Sequence, residues 1–119
     1  MAKGALFIRF GFPFPGYRLK SVKVFAESTE YWKRLQEKKE IDSFEPVFLD
    51  YHGADFAGYI LIRGDRDKLS KLQMDPEFER LNQRAAVVVS SFGVIAAFTG
   101  DELQRRFADF QKQSSELDR

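Results

Sequence analysis

The side chains best suited to proton transfer cluster around one predicted hairpin. His52 is the single histidine of the 119 residues, and cysteine is absent, so an imidazole is available at one position and a thiol at none. Asp50 precedes His52 by two residues, a spacing that puts both on one strand face and lets the carboxylate orient the ring. Tyr59, on the following strand, can donate a proton. The catalytic hypothesis is therefore His52 as base, Asp50 as its orienting partner and Tyr59 as acid.

His52 and Tyr59 also have structural interpretations. His52 suits a polar position at the entry to a turn, and Tyr59 suits an amphipathic position at an interface. A metal site is an alternative, since Asp50, His52 and Asp55 offer three ligands, but their spacing matches no established site. We therefore predict no metal and no cofactor.

Composition narrows the class of protein. With 19 Lys and Arg against 18 Asp and Glu, the net charge is +1, which argues against a protein that mainly holds phosphate backbones. A hydrophobic fraction of 44% argues against disorder. There is no secretory signal pattern and no apolar run of about 20 residues that could span a bilayer. The expectation is one cytoplasmic domain over residues 1–119, with no nucleic-acid or membrane partner.

The hydrophobic periodicity predicts an α+β chain. Alternating apolar residues indicate strands at 5–12, 44–51, 59–63 and 94–99. Helical spacing indicates a helix at 18–40, with either a bend near Ser28 and Thr29 or a separate turn before a helix that starts near Thr29. Further helices are indicated at 66–73 and from Asp75 to at least Ala86. A last helix is predicted at about 101–117, fraying from about Gln113. The order β-α-β-β-α-β plus a C-terminal helix is that of a ferredoxin-like fold. Its four-stranded antiparallel sheet has the first and third strands at its centre and two helices on one face.

Sorting strand residues by face separates a core face from an open face. Leu6, Ile8 and Phe10 should lie under the helices. A turn centred near Ala54 would put residue 50 opposite residue 59, and would add to that core face Val47, Leu49, Tyr51, Ile60 and Ile62. The open face would then carry an apolar patch with polar ends, which usually marks an interface or a ligand site. Its members are Phe7, Arg9, Phe48, Asp50, His52, Tyr59, Leu61 and Arg63.

The ligand-binding hypothesis uses this open face. Phe7, Phe48 and Leu61 would supply contact area. Arg9 and Arg63 would supply charge for a carboxylate or enolate, although antiparallel geometry sets them at opposite ends, and both can instead reach solvent or a nearby acid. Arg84 borders an apolar helix face, where an arginine either lines a pocket or pairs with an acid.

The chain resembles a known superfamily in its order of elements and in three segments, FPFPGYR, LDYHGADFAGYILIRG and DPEFERLNQRA…FGV. Over about residues 4–100 it is similar to small bacterial proteins of the dimeric α+β barrel superfamily. That group shares its fold with cofactor-independent monooxygenases of antibiotic biosynthesis, EthD-like proteins and stress-responsive barrel proteins. The resemblance implies a homodimer whose two sheets face each other, and it carries no catalytic residue to this chain.

Three functions remain open at this point. The first is a homodimer that binds a small, partly apolar molecule between its two sheets. The second is a cofactor-independent oxygenase or an isomerase that uses this cavity. The third is an interaction dimer whose open faces fill each other. Whether the chain is an enzyme is left open.

Overall fold

A computed structural model describes residues 2–118. The strands are β1 (Lys3–Phe10), β2 (Ser43–Phe48), β3 (Gly58–Asp65) and β4 (Gly93–Ala97). The helices are α1 (Arg18–Glu37), α2 (Arg66–Leu72), α3 (Pro76–Val88) and α4 (Gly100–Leu117). The strands form one antiparallel sheet in the order β2-β3-β1-β4. The predicted ferredoxin-like fold, with the first and third strands at its centre, is confirmed.

The alternation in β1 fixes which face of the sheet is buried. Leu6 pairs with Ile62, and Ile8 pairs with Ile60. All four side chains are buried, and they pack with residues of the helices, including Trp32 and Phe78. Because alternate residues of a strand point to opposite faces, Phe7 and Arg9 lie on the other side of the sheet.

Two of the helices, α2 and α3, begin at aspartate caps. The start of α3 at Asp75 agrees with the sequence pattern. The Asp65 carboxylate accepts a hydrogen bond from the Lys68 N–H at 3.1 Å, and Asp75 accepts one from Phe78 N–H at 3.2 Å. α1 runs without interruption from Arg18 to Glu37, so neither the bend nor the separate turn considered near Ser28 and Thr29 is present. The Thr29 hydroxyl donates to the Phe25 carbonyl one turn earlier, at 2.9 Å, which an intact helix accommodates.

The predicted register of the β2–β3 hairpin is wrong. Val47 pairs with Tyr59 and Phe48 with Gly58, because β2 ends at Phe48 and residues 49–57 form a long connection instead of a tight turn. An odd shift in register exchanges the two faces of a strand. Phe48 therefore lies on the helix face, with its ring centroid 6.0 Å from Phe10 and 5.3 Å from Phe25. Val47 lies on the open face, and Leu49 and Tyr51 lie outside the strand.

α4 extends from the sheet with little of its surface covered. It remains helical through Leu117, so the expected fraying from Gln113 is not seen. Glu102, in its first turn, bonds to Arg105 and also meets Arg66 of α2. Four apolar residues share one face of α4 and are exposed: Leu103, Phe107, Phe110 and Leu117.

Candidate functional site

The open face of the sheet brings together most of the predicted ligand-binding residues. Phe7 pairs with Leu61, Arg9 with Tyr59, and Ala5 with Arg63. On the two flanks, Ile95 of β4 pairs with Phe7, and Val47 of β2 pairs with Tyr59. The face thus has an apolar centre and an arginine towards each end.

An aromatic group forms at the Arg9 end of this face. The Phe7 and Tyr59 ring centroids are 4.8 Å apart, and the Phe56 ring lies 6.3 Å from Phe7 and 6.4 Å from Tyr59. The Arg9 guanidinium carbon lies 4.7 Å from the centroid of the Phe56 ring, a cation–π arrangement. Phe56 was not among the predicted site residues. Its place in a connection with no strand periodicity gave no signal for it.

Arg9 is already engaged by the protein. Its Nε donates to the Ser91 carbonyl at 3.1 Å, and its Nη2 donates to the Asp55 carbonyl at 2.8 Å. Arg63 is exposed and lies four residues along the face, opposite Ala5. The two arginines therefore lie at opposite ends of the open face, as expected. Arg9 joins the two neighbouring loops through these hydrogen bonds.

His52 reaches the same aromatic group, whereas Asp50 does not orient it. His52 Nε2 lies 2.8 Å from the Phe56 carbonyl oxygen, and the two rings meet edge to face. Because a carbonyl only accepts, this bond puts the proton on Nε2 and leaves Nδ1 as the basic nitrogen. The Asp50 carboxylate instead accepts from the Tyr51 N–H at 2.9 Å. Residues 50 and 52 lie in the irregular connection, so strand alternation does not apply to them.

Asp55 connects three loops at this end of the sheet. Its Oδ1 accepts from the Ser90 hydroxyl at 2.7 Å and from the Phe12 N–H at 3.2 Å, and its Oδ2 accepts from the Ser91 hydroxyl at 2.6 Å. The bonds from Ser91 and Ser90 hold the pKa of the Asp55 carboxyl below its usual value of 3.8. This residue, weighed above as a metal ligand, has its oxygens committed to these loops.

Arg84 lies away from the open face and pairs with an acid. Its Nε and Nη2 donate to the two carboxylate oxygens of Glu27, at 3.0 and 3.2 Å. The pair joins α3 to α1 in a bidentate geometry that favours arginine. Of the two roles that the sequence left for Arg84, the structure shows the ion pair.

An apolar cavity lies on the other side of the sheet, beneath α1 and α3. It has a volume of about 380 Å³, and its wall is almost entirely apolar. Trp32, Ile8, Ile60 and Leu81 form its buried end. Val22 and Phe48 also line it, and because they are 61% and 68% exposed they mark its mouth.

Small residues at the contact between helices and sheet make this cavity possible. Ser21 and Ser28 of α1, Ala85 of α3 and the loop residues Gly11 and Ala57 all contribute to its wall. Larger side chains at these positions would fill the space, as they do elsewhere in a close-packed interior. The helical spacing of Val22, Phe25 and Trp32 in the sequence marks one apolar stripe of α1. The pair of serines beside that stripe was the available signal for the cavity, and neither serine was among the predicted site residues.

The cavity wall contains few polar side chains. The Ser21 hydroxyl donates to the Arg18 carbonyl at 2.6 Å, which leaves Ser28 and Asn82 as the other polar residues of the wall. Trp32 is only 3% exposed, and no partner within residues 2–118 bonds to its indole Nε1. None of the charged side chains that the structure describes lines the cavity.

Between residues 2 and 118, no three carboxylate or imidazole side chains are grouped as metal ligands. Over the same range, no helix combines the length and apolarity needed to cross a membrane.

Comparison with known proteins gives a fold relationship. Neither a protein-family model nor a curated protein sequence matches the chain. Among solved structures, a dabb family protein with a ferredoxin-like fold from Mesorhizobium loti is 11% identical, with a TM-score of 0.66, over 84% of this chain and 99% of that one. A dimeric protein of unknown function from Bacteroides fragilis is 14% identical, with a TM-score of 0.61, over 82% and 96% of the two chains.

An enzyme is also similar in structure. SnoaB, a cofactor-independent oxygenase from Streptomyces nogalater, is 14% identical in a variant form, with a TM-score of 0.59, over 85% of this chain and 98% of the oxygenase. At these identities the likeness establishes the fold alone. The chain has the ferredoxin-like fold of the dimeric α+β barrel proteins that it resembles.

Proposed function

We propose that this protein is a homodimer that binds a small, largely apolar molecule in the cavity between α1, α3 and the sheet. The observation that carries the proposal is the cavity itself, about 380 Å³ with an almost wholly apolar wall. Ligand sites are typically apolar clefts of roughly 300–1,000 Å³ with a few polar groups. The sequence placed the ligand between two sheets. The helix side is the proposed position instead, because the apolar cavity of about 380 Å³ lies there.

The shape of the cavity indicates the size of its ligand. The buried end is walled by Trp32, Leu81 and the central strands, and the mouth lies between Val22 and Phe48. A flat bicyclic molecule would place one ring against the indole and extend towards the mouth. Burial of its apolar surface would drive binding, at about 25 cal/mol per Å² before the costs of association.

The proposed dimer uses the opposite face of the sheet. Ile95 is 50% exposed there, and it continues the apolar centre formed by Phe7 and Leu61. Contiguous apolar patches of this kind are typical of interfaces. The fold relative from Bacteroides fragilis is described as dimeric. Pairing through this face would leave the mouth of each cavity free, since the mouth lies on the helix side.

A cavity-filling variant tests the binding site. In Ala85→Leu the new side chain would occupy the cavity, whereas in Ala86→Leu it would point away, because Ala86 is exposed and does not line the wall. Trp32 is the single tryptophan, so its fluorescence reports directly on the site. We expect the bicyclic hydrocarbon tetralin to change the emission of the wild type and of Ala86→Leu, and to leave that of Ala85→Leu unchanged.

Two outcomes would count against the binding site. If saturating tetralin left the wild-type emission and NMR spectrum unchanged, the third function, an interaction dimer without a ligand, would gain support. If Ala85→Leu bound tetralin as tightly as Ala86→Leu, the ligand would lie elsewhere.

A second candidate function is cofactor-independent catalysis on the open face. It is favoured by the fold shared with an oxygenase and by the convergence of His52 and Tyr59 on Phe56. In this function His52 Nδ1 would abstract a proton and Tyr59 would donate one. Exchange of the α-protons of 1-tetralone in D₂O provides a direct assay. His52→Ala and Tyr59→Phe should abolish any exchange above the buffer rate, and unchanged exchange in both would remove this assignment.

A further inference from the structure

α4 leaves most of its surface uncovered by the part of its own chain that the structure describes. The helix has 18 residues, and every residue from 103 to 118 is exposed. Only its first turns are held to the domain, where the Glu102 carboxylate lies 3.4 Å from the Arg66 guanidinium and the Arg106 guanidinium carbon lies 3.8 Å from the Phe98 ring centroid. Because most helical stability in proteins comes from packing of an amphipathic face, the exposed length of α4 is suited to a partner outside its own chain.

The apolar residues of α4 have the spacing of a contact between two helices. They are between 49% and 85% exposed, and we refer to them as the α4 stripe: Leu103, Phe107, Phe110 and Leu117. Their separations are four, three and seven residues, which is the spacing of core positions in a coiled coil with Ser114 at the remaining position. A stripe this narrow is typical of a helix pair, whereas a helix that packs on a globular core presents a wider apolar face.

The charges of α4 are placed so that a copy of the same helix can approach the α4 stripe. In the heptad frame, the positions that flank the stripe are 104, 106, 111, 113 and 118, and they hold three glutamines, one arginine and one aspartate. Arg106 and Asp118 are therefore the charges beside the stripe, and their signs are opposite. The other charged residues lie at outer positions of the heptad: Asp101, Glu102, Arg105, Asp109, Lys112 and Glu116. Two copies would thus bring little like charge together at their contact.

A second copy of this chain is the partner that these features favour. A helix that lies on a lipid surface is rich in basic residues on its polar face, but α4 holds four acidic and three basic residues. β4 ends at Ala97 and α4 begins at Gly100, so only two residues separate them. β4 carries Ile95, which belongs to the face proposed above for dimer assembly. The base of α4 is therefore continuous in the chain with that face.

We propose, building on the dimer proposed above, that the α4 helices of the two subunits pack on each other along the α4 stripe. Two heptads of helix bury less surface than a stable dimer needs. The helix pair therefore adds to the contact between the two sheets and does not replace it. Loss of the helix pair should weaken the dimer, while loss of the sheet contact should abolish it.

A charge in the α4 stripe tests this pairing. Phe110→Lys would place an ammonium between the two helices, where burial is costly. Ala108→Lys is the matched control, because it adds the same charge at an exposed outer position of α4. Both residues are exposed within one chain, so neither variant should impair folding. In sedimentation over a dilution series, we expect Phe110→Lys to raise the dimer dissociation constant at least about tenfold and Ala108→Lys to leave it close to that of the wild type.

Cysteine cross-linking provides a second measurement that adds no charge. The chain has no cysteine, so Phe110→Cys and Ala108→Cys each introduce a single thiol. A short bismaleimide should couple the subunits of Phe110→Cys and leave those of Ala108→Cys largely uncoupled. A wild-type dimer in which the lysine variants dissociate equally and the cysteine variants couple equally would overturn the helix pairing and leave the sheet contact standing. A monomeric wild type at micromolar concentration would overturn both.

Discussion

The guanidinium of Arg84 and the carboxylate of Glu27 meet through two hydrogen bonds, of 3.0 and 3.2 Å, that join α3 to α1. These are the two helices that roof the apolar cavity. The ion pair therefore links α1 and α3 beside the cavity. Small side chains line the space between the two helices there, so close packing contributes less to holding them together.

Breaking this pair should have a small effect on stability. The two side chains are 38% and 33% exposed, so solvent screens their attraction, and the coupling should be no more than about 1 kcal/mol. Arg84→Gln, Glu27→Gln and the double variant form a cycle whose free energies of unfolding give this value. A coupling near zero would mean that the pair does not restrain the helices.

Assembly through the open face can be tested by a charge. Ile95→Lys places an ammonium in the apolar centre of this face, where a facing copy would bury it at high cost. We expect sedimentation at micromolar concentration to show a dimer for the wild type and a monomer for Ile95→Lys. Leu19→Lys is the control, since Leu19 lies on α1 and is 78% exposed. Equal dissociation of the two variants, or a monomeric wild type, would contradict the proposed interface.

Asp55 should contribute stability that depends on pH. Its folded-state pKa lies below the usual 3.8, so its contribution is complete above the unfolded pKa and is lost as the pH falls through the lower folded value. Asp55→Asn should lower the melting temperature by about 5 °C near neutral pH, and its difference from the wild type should shrink below about pH 4.

Asp50→Asn is the matched control for this comparison, because Asp50 lies in the same connection and accepts only from the neighbouring Tyr51 N–H. It should melt close to the wild type across this range. A difference for Asp55→Asn that stays constant down to pH 2 would show that the carboxylate charge is not the source.

Two glycines in the sheet should respond differently to alanine. A Cβ on Gly58 would collide with the Val47 carbonyl oxygen of the paired strand and with the Phe10 ring, whereas a Cβ on Gly93 would meet only the Arg9 side chain at 3.6 Å, an ordinary contact. Gly58→Ala should therefore cost about 1–3 kcal/mol of unfolding free energy. Gly93→Ala should cost less, as measured by urea denaturation, and the reverse order would contradict the β2–β3 register.

Local pattern was sufficient to predict most of the fold. The alternation around Leu6 and Ile8 identifies the central strand, and Asp75 followed by Pro76 marks the start of α3. These signals act over a few residues, and the structure agrees with them. To predict the register of the β2–β3 hairpin, one must know the length of its connection. That length depends on contacts between residues far apart in sequence, such as those of Asp55 with Ser90 and Ser91. Phe48 was consequently assigned to the wrong face.

The candidate sites were predicted only in part. Phe7, Arg9, Tyr59 and Leu61 share the open face because β1 and β3 obey simple alternation. The helix-side cavity depends on the absence of bulk at Ser28, Ala85 and Gly11, which lie on three different elements. A single sequence does not show that such small residues meet in space. The catalytic roles of His52 and Tyr59 stay predictions, without Asp50 as the partner that orients His52.

β1 separates the proposed ligand cavity from the face proposed for dimer assembly. Ile8 and Phe10 line the cavity, while Phe7 and Arg9, which alternate with them, lie on the face proposed for assembly. Substitutions in this one strand can therefore separate the two proposed functions. Changes at Ile8 or Phe10 should affect ligand binding, and changes at Phe7 or Arg9 should affect pairing of the two subunits.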